Sequence, residues 1–527
     1  MKRRQFIKTS AAGSILAPAM INGMPVHTPE PESWLRTLLH PQIDTDHVLV
    51  VIYLGGGNDG MNTVIPLDNY AAYNAARSNI AIPQNKVLAL NGNNKSGLHP
   101  SMSGIQKLYN EGKVNIIQGV SYPNPDFSHF RATDIWTSAS DSDRYISTGW
   151  AGRYLAEEYP GFPIGYPNSK NPDPLALQIG ANLPLMFLGP NAPMSMNVSN
   201  PDIFKEWPAG VNDTPGNDYR GREVAYIRNI ARQSKGYADK IVEAYVKGNN
   251  VGNYPATNYL GDVLKAVARL IKGGLQTRLY LVQVYGFDTH SDQVDATDNT
   301  VGAHAQLLQV LSDAVYSFQK DLEALKLDKR VLSMTFSEFG RRIKSNSSKG
   351  TDHGVAAPMF VMGSQVQTGI IGKNPDIPSN LSVNDNVAMQ FDFRSVYSSI
   401  LKDWFCVPDS ERNNILFKNF QALPIVNNNC SSTGIEDYHQ NQEKLKLTIL
   451  PNPMVERTEL SVTIPNGYTR LHLIDPEGRF VKTIFEGKLE AGEHRFGLEN
   501  EGFAPGNYYV YLQQTDSQRT ESLVIAE

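Results

Sequence analysis

Apolar residues along the chain recur in two rhythms. Short, nearly continuous runs, HVLVVIYL (47–54), KVNIIQGV (113–120), RLYLVQVYG (278–286), RVLSMTFSEFG (330–340) and APMFVMG (357–363), are bounded by Gly or polar residues. Their length and their Val, Ile and aromatic content predict buried strands. Beside them, GDVLKAVARLIKGG (261–274), HAQLLQVLSDAVYSFQKDLEALKL (304–327) and FRSVYSSILKDWF (393–405) place apolar residues three and four apart, the stripe of an amphipathic helix. Strands without strict alternation, interspersed with helices, predict an α/β body over residues 46–425 whose mostly parallel sheet is covered on both faces. The polar, Pro- and Asn-rich stretch 159–217 reads as loops or small subdomains on that scaffold. After a polar linker, 426–446, the rhythm shortens to alternation punctuated by Pro-Asn-Gly, Pro-Glu-Gly and Pro-Gly turns, which predicts a small all-β sandwich over 447–527.

Composition narrows the picture. The 527 residues are 41% hydrophobic, enough for a large buried core, and the formal charge of -5 without a long basic run leaves no electrostatic footprint for nucleic acid. The start, MKRRQFIKTSAAGSILAPAM, has paired arginines, a short apolar stretch and small residues suited to cleavage, so 1–19 reads as an export signal; RRQFIK resembles a twin-arginine motif. That stretch is too short to span a bilayer, and no other run of 18 apolar residues exists, so the mature chain is expected to lack an integral membrane span. Two cysteines, Cys406 and Cys430, allow one bridge and leave open whether it forms.

Candidate chemistry clusters at strand ends. Gly55, Gly57 and Gly60 spell G-x-G-x-x-G, but Thr63-Val64-Ile65-Pro66 makes a poor opening for the helix a dinucleotide site needs. The glycines read instead as a tight turn carrying Asp59, and alone Asn58-Asp59-Gly60 is simply a turn. The strand RLYLVQVYG leads into Asp288 and His290, RVLSMTF leads into Ser337 and Glu338, and Asp352-His353 stands between Gly350 and Gly354 just before APMFVMG. Carboxylates and neutral imidazoles gathered on one sheet edge suit Zn²⁺ or a similar ion.

These stretches carry a resemblance. GGGNDGMNTVIP, PDFSHFRATDIWTSA, STGWAGRYL, GFDTHSDQ and SEFGRR followed by GTDHG are similar, in that order, to the family catalogued as domain of unknown function 1501, a branch of the alkaline-phosphatase and sulfatase superfamily. The resemblance implies a three-layer α/β/α sandwich of alkaline-phosphatase-like type, with one or two divalent metal ions held by Asp59, Asp288, His290, Asp352 and His353. It implies a nucleophile at a helix start, for which Ser128 is chosen and Thr63 is the rival. His99 and His129 are candidates for additional ligands or substrate-positioning groups, with a hydrogen-bonded loop histidine the alternative for each, and Glu338 and Arg341, with Arg342, are further candidates. The chain departs from the superfamily in one respect: only His439, His472 and His494 follow His353, and all lie in the linker or the C-terminal sandwich. Either one ion suffices, or His99 or His129 substitutes, or the protein only binds. CVPDS at Cys406 lacks the arginine of a sulfatase nucleophile motif. The last domain resembles, through Pro451-Asn452-Pro453, LIDPEGRFV and APGNYYVYL, the sorting domain of type IX secretion substrates. The combined expectation is an exported hydrolase of phosphate or sulfate esters, small or glycan-borne, that uses export and type IX machinery to pass through the periplasm to the cell surface or medium. A non-catalytic binding protein and a metal-independent serine esterase are the alternatives.

Overall fold

The computed structural model describes residues 45–198, 235–427, 430, 445–475, 480–500, 502–514 and 517–526, with two short pairs at Met20–Ile21 and Met24–Pro25. The expected export signal, most of the expected linker and the part of 159–217 beyond 198 lie outside the described residues. The chain divides into two compact units, one spanning Asp44–Asn429 and the other containing Cys430–Glu527.

The five apolar runs of the first unit all form strands of one sheet, and four shorter strands join them. In chain order these are β1 (Val48–Gly55), β2 (Val114–Ser121), β3 (Ala176–Ile179), β4 (Ser195–Val198), β5 (Leu279–Tyr285), β6 (Val331–Phe336), β7 (Ala357–Met362), β8 (Gly369–Ile371) and β9 (Phe391–Asp392). Their order across the sheet is β8-β2-β7-β6-β1-β5-β3-β4, and β9 also pairs with β2. Only β7 runs against the rest, antiparallel to both β6 and β2.

Every residue of β1 is buried, because both faces of the sheet are covered. The covering helices are α1 (Ser103–Asn110), α2 (His129–Ser138), α3 (Trp150–Glu158), α4 (Tyr259–Lys272), α5 (Ala303–Leu325) and α6 (Phe393–Ser399). Leu49, Val51 and Tyr53 pack with α2, α3 and α6, whereas Val48, Val50, Ile52 and Leu54 pack with α1, α4 and α5. The body is therefore a three-layer α/β/α sandwich. In α4, Leu260, Leu264, Val267 and Ile271 form the buried stripe, and Asn258 caps the helix by accepting the Gly261 N–H at 2.9 Å. Each such buried Leu contributes about 1.5–3 kcal/mol. Gly60–Thr63 forms a single turn before Val64–Pro66 extends as a strand, so the glycine-rich stretch opens no dinucleotide-binding helix.

The second unit is all-β. Strands β10 (Lys446–Leu450), β11 (Arg457–Ile464), β12 (Gly467–Ile474), β13 (Phe480–Leu489), β14 (Gly492–Glu499), β15 (Gly506–Gln514) and β16 (Ser517–Ile525) form two antiparallel sheets, β10-β11-β14 and β13-β12-β15-β16. Leu460, Val462, Leu471, Leu473, Val510 and Leu512 alternate inward to make its core. Both cysteines of the chain, Cys406 and Cys430, are disulfide-bonded. No helix among the described residues is long and apolar enough to cross a membrane.

Candidate metal centre

The parallel strands β1, β2, β5 and β6 end at one edge of the sheet. Because β7 is antiparallel, its beginning lies at that same edge: Ala357 pairs with Val120 near the end of β2. The loops after β2, β5 and β6 and the loop before β7 thus converge. They bring together His129, Asp288, His290, Glu338, Arg341, Asp352 and His353. Gly56, at φ +121°, permits the approach, since a Cβ there would stand 2.3 Å from the Asp288 backbone nitrogen.

Three imidazoles surround the Asp288 carboxylate. The Nε2 atoms of His353 and His290 lie 3.1 and 3.2 Å from Asp288 Oδ1, and 2.9 Å from each other. His129 Nε2 is 3.5 Å from Asp288 Oδ2. His129, Asp288 and His353 each offer a ligand atom, all within 4.8 Å of one another. Behind each ring stands an acceptor. His353 Nδ1 is 2.9 Å from the Phe127 carbonyl oxygen, His129 Nδ1 is 2.8 Å from Glu338 Oε1, and His290 Nδ1 is 3.2 Å from Asp352 Oδ1. A carbonyl or carboxylate oxygen only accepts, so in each ring the proton belongs on Nδ1 and a neutral ring turns the Nε2 lone pair toward Asp288.

The electrostatics follow from these contacts. Asp288 is 44% exposed at its side chain, and partial burial pushes its carboxyl up; Arg341, through its hydrogen bond and its charge, leads the opposing contacts that bring it down to about 2. Hydrogen bonding to the buried Glu338 holds the His129 imidazole above its ordinary range. Burial pulls His353 below its ordinary value. For Asp352, burial is outweighed by hydrogen bonds from Asn346 and His290, and its carboxyl stays below the usual range. Arg341 is wholly buried and acts as a strut. It donates to Asp288 Oδ1 at 2.7 Å and to the carbonyls of Gly56, Gly57 (2.7 Å), Phe287 (3.1 Å) and Thr351 (2.6 Å), tying together the loops after β1 and β5 and the segment before β7.

The remaining candidates stand at the margin of this cluster or behind it. Asp59 is 1% exposed, and Arg77 Nη1 sits 2.8 Å from each of its oxygens while Gln293 Nε2 donates to Oδ2 at 2.7 Å. Among the described residues no hydrogen bond or ion pair joins it to the imidazole cluster. Thr63 is buried and donates to Asn58 Oδ1 and to the Asp59 carbonyl. His99 is buried against His304, accepts the Ser101 N–H at 3.1 Å, and is pulled by burial down to about 3. Ser128 is exposed at the N-cap of α2, between Phe127 and His129, and makes no side-chain cap bond. Arg342 donates through Nε to the His353 carbonyl at 3.3 Å and through Nη1 to Asn384 Oδ1 and the Val383 carbonyl. Arg77, Gln293 and His304 escaped the sequence reading. Gln293 follows the Asp288/His290 stretch directly, whereas nothing in the local pattern marks Arg77.

The donor set fits a single divalent ion. Imidazole nitrogen and carboxylate oxygen suit Zn²⁺ and its neighbours, and donors placed ~2.1 Å from one ion stand about 3.0–3.4 Å apart. The observed separations of 2.9, 3.1, 3.2 and 3.5 Å bracket that range.

The family described as a protein of unknown function, DUF1501, matches residues 248–416. That span contains Asp288, His290, Glu338, Arg341, Asp352 and His353 and leaves out Asp59, Ser128 and His129. No curated protein matches the chain. Among solved structures, one described as a protein in the alkaline phosphatase superfamily from Vibrio parahaemolyticus is similar at 10% identity and a TM-score of 0.33, covering 100% of this chain and 92% of that one. A sulfatase from Pseudoalteromonas sp. is similar at 12% identity and a TM-score of 0.32, covering 92% and 91%. A lipoteichoic acid synthase from Listeria monocytogenes is similar at 8% identity and a TM-score of 0.31, covering 73% and 77%.

Proposed function

We propose that the protein is an exported, metal-dependent hydrolase of phosphate or sulfate esters, whose ion is held by Asp288, His290 and His353 with His129 at the open side. One observation carries the reading. Two imidazoles whose Nδ1 atoms face acceptors turn their Nε2 lone pairs to within 2.9 Å of each other and about equally close to an ionised carboxylate oxygen. Three electron-pair donors in contact repel one another unless a cation lies among them. A divalent ion there supplies Lewis acidity toward an ester oxygen and lowers the pKa of a nearby hydroxyl.

The chain's own groups do the rest. Asp352, Glu338 and the Phe127 carbonyl hold the three rings in the tautomer that points Nε2 inward. Ser128 lies at the N-terminus of α2, where helix amides favour an anionic group, so its hydroxyl is the nucleophile of choice. Asp59, already neutralised by Arg77, takes the part of a support instead of a ligand. The expected route through export and type IX machinery to the cell surface or medium belongs to the same proposal and is supported by the sequence of the two termini.

The test is to purify the full chain, measure its metal content by mass spectrometry, and assay aryl phosphate, phosphodiester and aryl sulfate with and without chelator. About one equivalent of metal, with chelator-sensitive turnover that Asp288→Asn abolishes, supports the enzyme. A preparation that takes up no divalent ion overturns it. A second reading, a surface protein that binds one ion without turnover, is favoured by the engagement of both Asp59 oxygens by Arg77, which withholds that carboxylate from a second ion. Bound metal without turnover on any of the three ester classes selects it.

A further inference from the structure

The two loops that carry the centre meet along a buried seam. Thr351 N–H donates to the Thr289 carbonyl at 3.1 Å, Gln293 N–H to the Lys349 carbonyl at 2.9 Å, and Asn346 Nδ2 to the His290 carbonyl at 2.8 Å. Gly350 lies so close to the other loop that a Cβ would stand 2.3 Å from the His290 carbonyl group. At the middle of the seam is the carboxamide of Gln293, fully buried. Its Oε1 accepts from Thr289 Oγ1 and from Thr351 Oγ1, each at 3.0 Å. Thr289 stands between Asp288 and His290, and Thr351 directly precedes Asp352 and His353. One oxygen therefore ties the two ligand-bearing segments together.

The other end of the carboxamide fixes which way it points. Gln293 Nε2 donates to Asp59 Oδ2 at 2.7 Å, and Asp59 is anchored by Arg77. Were the carboxamide reversed, its oxygen would face a buried carboxylate, a repulsion that no solvent screens. The Asp59 charge thus dictates that Oε1 faces both threonines.

We propose that Asp59 and Gln293 form a positioning relay that sets the spacing between the Asp288/His290 segment and the Asp352/His353 segment, acting on the metal centre without touching the ion. The inference rests on the metal-binding reading above. It assigns roles to Gln293, Thr289 and Thr351, and it moves Asp59 from ligand to anchor.

The test uses Co²⁺ as probe on the full chain, reading affinity by competition with a chelator and ligand geometry from the visible spectrum. Thr351→Val removes the hydroxyl and keeps the shape; Thr351→Ser keeps the hydroxyl. Supporting residues behind metal ligands typically alter affinity by about 10- to 100-fold. Thr351→Val and Gln293→Leu are expected to weaken Co²⁺ binding by an amount in that range and to shift the spectrum, while Thr351→Ser stays near wild type in both. If Gln293→Leu does not fold, the Thr351 pair decides. Wild-type affinity and spectrum in Thr351→Val overturn the relay while the metal centre stands. Equal losses in the Val and Ser variants also overturn it, since the hydroxyl is then not the operative group. A wild-type protein that takes up no Co²⁺ overturns the metal-centre reading and the relay with it.

Discussion

Asp59 and Asp288 follow neighbouring parallel strands, β1 and β5, and each meets a buried arginine, yet their environments differ in kind. Asp59 is closed off: Arg77 and Gln293 satisfy its oxygens and water does not reach it. Asp288 is nearly half exposed, with Arg341 on one oxygen and three imidazole nitrogens around it. An ion pair that is complete supports structure. A carboxylate with lone pairs still facing other donors and an opening to solvent is equipped to receive a ligand.

The largest loss is expected at the closed pair. Arg77→Leu leaves a buried carboxylate unpaired, and such losses cost about 3–5 kcal/mol. A urea unfolding curve measures it, and a cost below about 1 kcal/mol, the range of exposed pairs, would make Asp59–Arg77 no different from a surface contact.

Next in size is loss of a ligand at the open group. His353→Ala is expected to lower Co²⁺ or Zn²⁺ affinity by more than the roughly 100-fold upper range of supporting residues. Isothermal titration reads it, and unchanged affinity would exclude His353 from the centre.

Removing a group from behind a ligand should do less. Asp352→Asn, which keeps the side-chain shape but weakens the hold on His290 Nδ1, is expected to cost about 10- to 100-fold in metal affinity while Ser128→Ala leaves that affinity unchanged. A loss in Asp352→Asn as large as in His353→Ala would return Asp352 to the ligand shell.

The smallest effect concerns pH. Burial opposes the Asp59 charge, but Arg77, His304 and Gln293 outweigh it and hold the folded-state pKa below its ordinary value. A depressed folded pKa means that the contribution to stability is fully present above the unfolded value, about 4, and is lost as pH falls from there through the folded value. Urea midpoints taken across that acid window should fall less steeply in an Asp59→Asn variant than in the wild type. Parallel slopes would show that Asp59 does not titrate differently on folding.

Legibility along the chain followed the range of the forces involved. The strands β1, β2, β5, β6 and β7 announce themselves because burial on both faces demands unbroken apolar runs, and α4 and α5 because a covering helix needs a stripe. The turn chemistry of the second unit was equally plain. The Asp-His groupings were visible as residue types at strand ends, but their partners were not. Asp352 and Asp59 read from sequence as ligands on the same footing as Asp288, since one Asp before or after a strand looks like another. What separates them is Arg77, 18 positions from Asp59, and His290, 62 positions from Asp352. Asp352-His353 precedes its strand and would lie at the opposite edge of an all-parallel sheet. Only the reversal of β7 brings it to the site.

By itself, the order of apolar and polar residues determined that this protein has a two-faced α/β body, a separate β-rich end and a set of imidazoles and carboxylates near strand termini. Such features are local, governed by solvent exclusion along a few turns or a few residues of strand. Tertiary structure alone decided which carboxylate is spent on an arginine and which is left among imidazoles, and which loops share a seam at Gln293. Those outcomes depend on strand direction and on contacts between positions far apart in the chain.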